Sequence, residues 1–109
     1  MQIQCHCGQV TLTLPSLPRD LNQCSCSICR RYGALWAYFP PAQVRISGAT
    51  QAYIWGERTI ALHRCDICGV LTHWASRDTD RAKMGVNMQN ADPALLAAIP
   101  RHDSHARGD

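Results

Sequence analysis

The chain has 109 residues, 46% of them hydrophobic and 17% charged, with a formal net charge of +3. That balance fits one globular domain with a modest core and excludes a disordered or fibrous chain. No apolar run is long enough to cross a bilayer, and Met1-Gln2-Ile3-Gln4-Cys5 lacks the basic-then-apolar order of a secretory signal. A reducing cytoplasm is therefore the expected location.

In chain order, residues 1–14 read as two short strands around a turn at Gly8, since Gln9 to Leu14 alternates and is β-branched-rich. Pro15 to Pro18 reads as a loop. Ser27 to Tyr32 reads as one helical turn stopped by Gly33. Further short strands are predicted at Leu35–Phe39, Val44–Ile46, Ala52–Trp55, Thr59–His63, Leu71–Ala75 and Met84–Met88. Only Pro93 to Ile99 reads as a proper helix, with Asp92 ahead of a proline at its first turn. The expected organisation is a mainly β zinc-binding domain over residues 1–100, one short C-terminal helix, and a frayed polar tail over 101–109.

The seven cysteines carry the chemistry. They fall in three tight clusters, and in a reducing compartment clustered cysteines more often bind metal than form disulfides. Cys5-His6-Cys7-Gly8 and Cys65-Asp66-Ile67-Cys68-Gly69 read as paired metal knuckles. The glycine after each pair tolerates a positive φ and lets backbone N–H groups approach the sulfurs. Two such pairs make a four-thiolate structural zinc site. It would staple the first strand to the strands after residue 59.

Cys24-x-Cys26-x-x-Cys29 brings three thiolates within six residues. Three ligands leave a tetrahedral position open, which distinguishes a catalytic zinc from a structural one, and a thiolate-rich centre suits a sulfur ligand. A closed site completed by His6 or His63 stays open as an alternative, as does cross-pairing of Cys24 or Cys29 with Cys65 and Cys68. Seven thiolates and two divalent ions would bring the formal charge from +3 to neutrality, so the basic balance is not read as a nucleic-acid footprint.

These motifs, with Arg30-Arg31-Tyr32-Gly33-Ala34 after the triplet, His63-Arg64 before the third cluster, and Gly85-Val86-Asn87-Met88 followed by Asp92-Pro93, resemble the glutathione-dependent formaldehyde-activating enzyme family, also grouped with centromere protein V. The resemblance spans residues 1 to 100. It implies an Mss4-like β-tent of short antiparallel strands, a structural zinc on Cys5, Cys7, Cys65 and Cys68, and a second zinc on Cys24, Cys26 and Cys29. It further implies a carbon–sulfur lyase that condenses formaldehyde with glutathione to S-hydroxymethylglutathione. Two features depart from the family pattern: Arg64 stands where an aromatic residue is usual, and the chain stops soon after the helix, where many relatives continue. A more open site is the expectation from the second departure.

For such a reaction Arg30 and Arg31 are candidates to stabilise a developing alkoxide or to bind glutathione's carboxylates. Against that, both could simply balance thiolate charge or face solvent. Trp36, Tyr38, Trp55 and Trp74 could line a pocket, although aromatic side chains usually fill the core of a small domain. His63 and His73 could shuttle protons, or pack and bond to backbone. Asn87 could donate into the pocket or satisfy a turn. The expected partners are a small thiol and an aldehyde, with no nucleic acid and no membrane. The competing functions are a non-catalytic zinc module that binds a protein or small ligand, and a redox protein using the triplet's thiols. Neither fold nor spacing separates these.

Overall fold

The computed structural model describes residues 1–78 and 83–104. Among these described residues ten strands run in order: β1 Gln2–Gln4, β2 Thr11–Thr13, β3 Leu21–Cys24, β4 Trp36–Phe39, β5 Arg45–Ser47, β6 Thr50–Tyr53, β7 Ile60–Cys65, β8 Leu71–Ser76, β9 Met84–Asn87 and β10 Arg101–Ser104. Two short α-helices, α1 Ser27–Tyr32 and α2 Pro93–Leu96, join them. The protein is mainly β, as predicted, in a β-tent arrangement of two sheets. One sheet has the order β1-β2-β5 and the other β10-β3-β4-β9-β8-β7-β6.

Strand alternation gives the larger sheet two different faces. Ala37 and Phe39 of β4 and Met84 and Val86 of β9 point to a core shared with Val10, Leu12 and Leu14 of the small sheet, closed by Leu96 and Ile99 after α2. The other face presents Trp36, Leu62 and Trp74, which pack with Ala34, Leu71 and the cysteines beside α1. Gly85 makes that second face possible. A Cβ there would lie 2.0 Å from Trp74 Nε1 and 2.5 Å from its Cδ1, so the indole lies across β9 only because residue 85 has no side chain.

Four elements differ from the sequence expectation, the first being β3, a strand not predicted over Leu21–Cys24. Ser27–Tyr32 forms a full α-helix, so the C-terminal helix has a companion; Cys26 caps it and Gly33 ends it in a left-handed conformation. The predicted helix over 93–99 is regular only to Leu96, with the Asp92 carboxylate accepting from Ala94 N as the start signal requires. Residues 101–104 of the expected frayed tail form β10, parallel to β3, with Arg101 opposite Leu21 and Ser104 opposite Cys24. Their side chains are polar and mostly exposed, so periodicity carries no sign of the strand; backbone pairing holds it, with His102 Nε2 3.3 Å from Asp20 Oδ2 and Ser25 Oγ donating to Ser104 O at 3.2 Å. Residues 105–109 lie outside the described residues.

Candidate metal centres

Cys5 follows β1 and Cys65 ends β7, and each opens a tight turn of the same design. Cys5 N donates to Val10 O (3.0 Å) and Cys65 N to Val70 O (2.9 Å), so residue i closes on residue i+5 in both. Gly8 (φ 81°) and Gly69 (φ 77°) supply the left-handed step, a conformation that disfavours a side chain. The turns aim N–H groups at sulfur: Val10 N lies 3.3 Å from Cys5 Sγ, and Ile67 N and Cys68 N lie 3.4 and 3.5 Å from Cys65 Sγ.

The result is a cluster in which Cys5 Sγ is 3.7 Å from Cys7 Sγ, Cys7 Sγ is 3.6 Å from Cys65 Sγ, and all four sulfurs, Cys68 included, lie within 4.8 Å of one another. Four thiolates at about 2.3 Å from one ion would form a tetrahedron with edges of about 3.8 Å, so the donor set and its spacing fit a metal. The thiols also titrate unequally. N–H groups of Val70 and Cys7 draw Cys68 down to about 6. For Cys7 the Gln9 N–H pulls downward, but burial and the neighbouring Cys65, Cys5 and Cys68 push it up to about 11. Four anions this close cannot all form without a cation among them.

The second group is built where β3 runs into α1. Cys24 ends the strand, Cys26 is the helix cap, and Cys29 lies one turn further on. Cys26 Sγ accepts from Cys29 N at 3.4 Å, and Cys29 Sγ accepts from the indole Nε1 of Trp36, also at 3.4 Å. The three sulfurs lie within 4.8 Å of one another, and among the described residues no histidine or carboxylate joins them. His6 and His63 therefore do not complete the site, and Cys24 and Cys29 do not mix with Cys65 and Cys68. Cys24 and Cys26 are buried and Cys29 is half-buried. Burial raises the Cys29 thiol far above its usual range, with the Trp36 N–H working against it. This group too fits a soft metal, with three protein ligands.

Beside the triplet stands an aromatic surface. By strand alternation Asn22 shares a face with Cys24, and Tyr38 shares one with Trp36; Asn22 and Trp36 are direct cross-strand partners. Asn22 Nδ2 donates to Tyr38 Oη at 2.5 Å. The Tyr38 ring meets Trp74 edge to face, with centroids 6.2 Å apart, and carries Lys83 Nζ 4.2 Å above its centre. Burial raises the Tyr38 hydroxyl pKa; the Asn22 bond lowers it, and the nearby Cys24 and Cys29 raise it further. Asn22 is the residue that sequence reasoning missed. Its signal was its position, two residues before a cysteine of the triplet on the same strand.

The profile of the family described as glutathione-dependent formaldehyde-activating enzyme matches residues 1–104. The chain belongs to the glutathione-dependent formaldehyde-activating enzyme family. A crystal structure of a protein from Rhodobacter sphaeroides is similar, with 33% identity and a TM-score of 0.76, over 94% of this chain and 100% of that one. No curated protein sequence matches.

In this family member the remaining candidates fall on different sides of the fold. Arg30 and Arg31 lie exposed in the last turn of α1, and Arg31 Nη1 donates to Ser27 O at 2.7 Å. His63 and His73 sit on the opposite face of the large sheet from Leu62 and Trp74. Their rings stack with centroids 4.5 Å apart. Thr72 Oγ1 donates to His63 O and is hydrogen-bonded to His73 Nδ1 at 2.8 Å. Burial, then His63, holds His73 down to about 3, so it stays neutral at ordinary pH. Asn87 is structural: Oδ1 accepts from Leu35 N and Gln89 N, and Nδ2 donates to Leu71 O. Trp36 and Trp74 are buried in the second core cluster, while Trp55 stacks on Tyr53.

Proposed function

We propose that this protein adds glutathione to formaldehyde to form S-hydroxymethylglutathione, and reverses that step as a carbon–sulfur lyase. Zinc on Cys24, Cys26 and Cys29 would serve the reaction, and a structural zinc on Cys5, Cys7, Cys65 and Cys68 would hold the fold. The carrying observation is the convergence of three cysteine sulfurs with no fourth ligand from the described chain, beside the Tyr38 and Trp74 rings. When bound there, zinc lowers the pKa of an incoming thiol and so supplies a thiolate at neutral pH.

The chain's own residues do the rest. Cys24 and Cys26 are buried and hold their sulfurs away from water, and the Trp36 N–H fixes the Cys29 sulfur. Arg30 and Arg31 lie on the solvent side of the helix that carries Cys29, suited to glutathione's carboxylates. In the reaction the thiol sulfur bonds to the carbonyl carbon as its proton leaves to solvent. The C=O electron pair moves to oxygen, which takes up a proton. In reverse the C–S bond breaks. The proposed location is a reducing cytoplasm, where clustered cysteines stay available to a metal.

The test is metal content and formaldehyde–glutathione exchange, the latter by NMR, for the protein and its Cys26→Ser variant. Two zinc ions falling to one, with the fold retained and accelerated exchange lost, supports the reading. Full metal content with no acceleration in the unsubstituted protein means a non-catalytic zinc module. Ready alkylation of Cys24, Cys26 and Cys29 in the purified protein would instead support a thiol-redox protein.

A further inference from the structure

Asn22 is 8% exposed, and its side-chain Oδ1 has no hydrogen-bond partner among the described residues. A buried acceptor left unpaired is unfavourable, a cost offset here by what the other end of the amide holds. The same amide donates through Nδ2 to Tyr38 Oη. Because the phenol oxygen accepts that bond, its own proton is directed elsewhere. The patch thus offers a donor unused among the described residues, the Tyr38 hydroxyl, fixed by an amide whose own Oδ1 is buried.

The patch adjoins the three cysteines by two separate connections. Asn22 is two residues before Cys24 on β3, and Tyr38 is two residues beyond Trp36, whose indole holds Cys29 Sγ. The Tyr38 ring is pinned by Trp74 on one side and Lys83 on another, and the residue is 37% exposed. A fixed donor beside a sulfur-binding position can recognise an oxygen on the carbon bonded to that sulfur. A hemithioacetal carries one; a simple thioether does not.

We propose that Tyr38, held in place by Asn22, forms the oxygen-binding half of the site, reading the oxygen of a thiol–aldehyde adduct. Tyr38 Oη donates to the adduct oxygen, and Asn22 acts as a positioning residue by donating through Nδ2 to Tyr38 Oη. As the C–S bond forms, charge grows on this oxygen, and the Tyr38 hydroxyl lies where it is stabilised. The substrate class is S-(1-hydroxyalkyl) thiols, whatever the aldehyde. This assignment rests on the function proposed above.

The experiment uses Tyr38→Phe, whose partly exposed ring can stay in place, with S-methylglutathione as a probe that lacks the hydroxyl. Tyr38→Phe should keep both zinc ions and the same inhibition constant for S-methylglutathione. Its kcat/KM for formaldehyde–glutathione exchange should fall about 100-fold. Asn22→Leu, checked for zinc content, should show the same pattern. Exchange by Tyr38→Phe at the unsubstituted rate overturns the role of the pair and leaves the proposed function standing. An unsubstituted protein that accelerates no exchange overturns both.

Discussion

The indole N–H of Trp36 reaches Cys29 Sγ across 3.4 Å, from the strand that also carries Tyr38. One strand thereby orients a sulfur of the cysteine triplet and presents a hydroxyl beside it. Hydrogen bonds to ligands tune metal affinity, commonly by 10- to 100-fold. Trp36→Phe keeps the ring and removes the bond. Chelator competition should then show affinity at the Cys24–Cys26–Cys29 group lower by about 10-fold, with the four-cysteine group unchanged.

The two cysteine groups should differ in what they hold together. Cys5 and Cys7 lie in the small sheet's first turn and Cys65 at the end of β7. A metal there crosslinks the two sheets, and such binding energy is folding energy. Cys65→Ser should lose the cooperative melting transition seen by circular dichroism, whereas Cys26→Ser should keep it. Equal loss in both variants would contradict a division into structural and reactive sites.

Gly85→Ala tests the aromatic face. The added Cβ would meet Trp74 Nε1 at 2.0 Å and Cε2 at 2.7 Å, and the whole indole would have to move. Overpacking of this kind costs about 2 kcal/mol, or a melting temperature lower by roughly 10 °C. Tryptophan fluorescence should shift with it, because Trp74 is 7% exposed.

His73 predicts an acid limit. Its folded-state pKa lies near 3, against 6.5 for the unperturbed side chain. Below pH 6.5 the unfolded chain takes up a proton there and the folded chain does not. Its contribution is therefore complete above 6.5 and lost as pH falls toward 3, by about 1.4 kcal/mol per unit. Denaturant titrations at pH 4.5 to 6.5 should show a shallower pH slope for His73→Gln. The slope, rather than absolute stability, is the readout, since the substitution also disturbs the stack with His63.

Both cysteine groups were legible because spacing and glycine placement are local. Gly8 and Gly69 adopt the positive φ that their motifs demand, and no distant residue is needed to predict it. The triplet's three-ligand composition was legible only as one alternative, since whether His6 or His63 completes it depends on the folded chain. β3 was hidden because Asn22 and Gln23 interrupt its apolar pattern, and β10 because Arg-His-Asp-Ser carries no pattern at all. The pairing of Asn22 with Tyr38 spans 16 residues, and nothing in either segment announces the other.

β10 also guards the outer margin of the large sheet. Without it, β3 would be the terminal strand, with a row of open N–H and C=O groups available to a neighbouring molecule. Ser25 N is bonded to Ser104 O at 2.8 Å and Leu21 N to Pro100 O at 2.9 Å, so both ends of the strand leading to Cys24 are clamped by this short polar segment. A chain shortened before Arg101 would retain all seven cysteines. It would also present a sticky strand beside a loosened triplet, and self-association would then accompany any loss of activity.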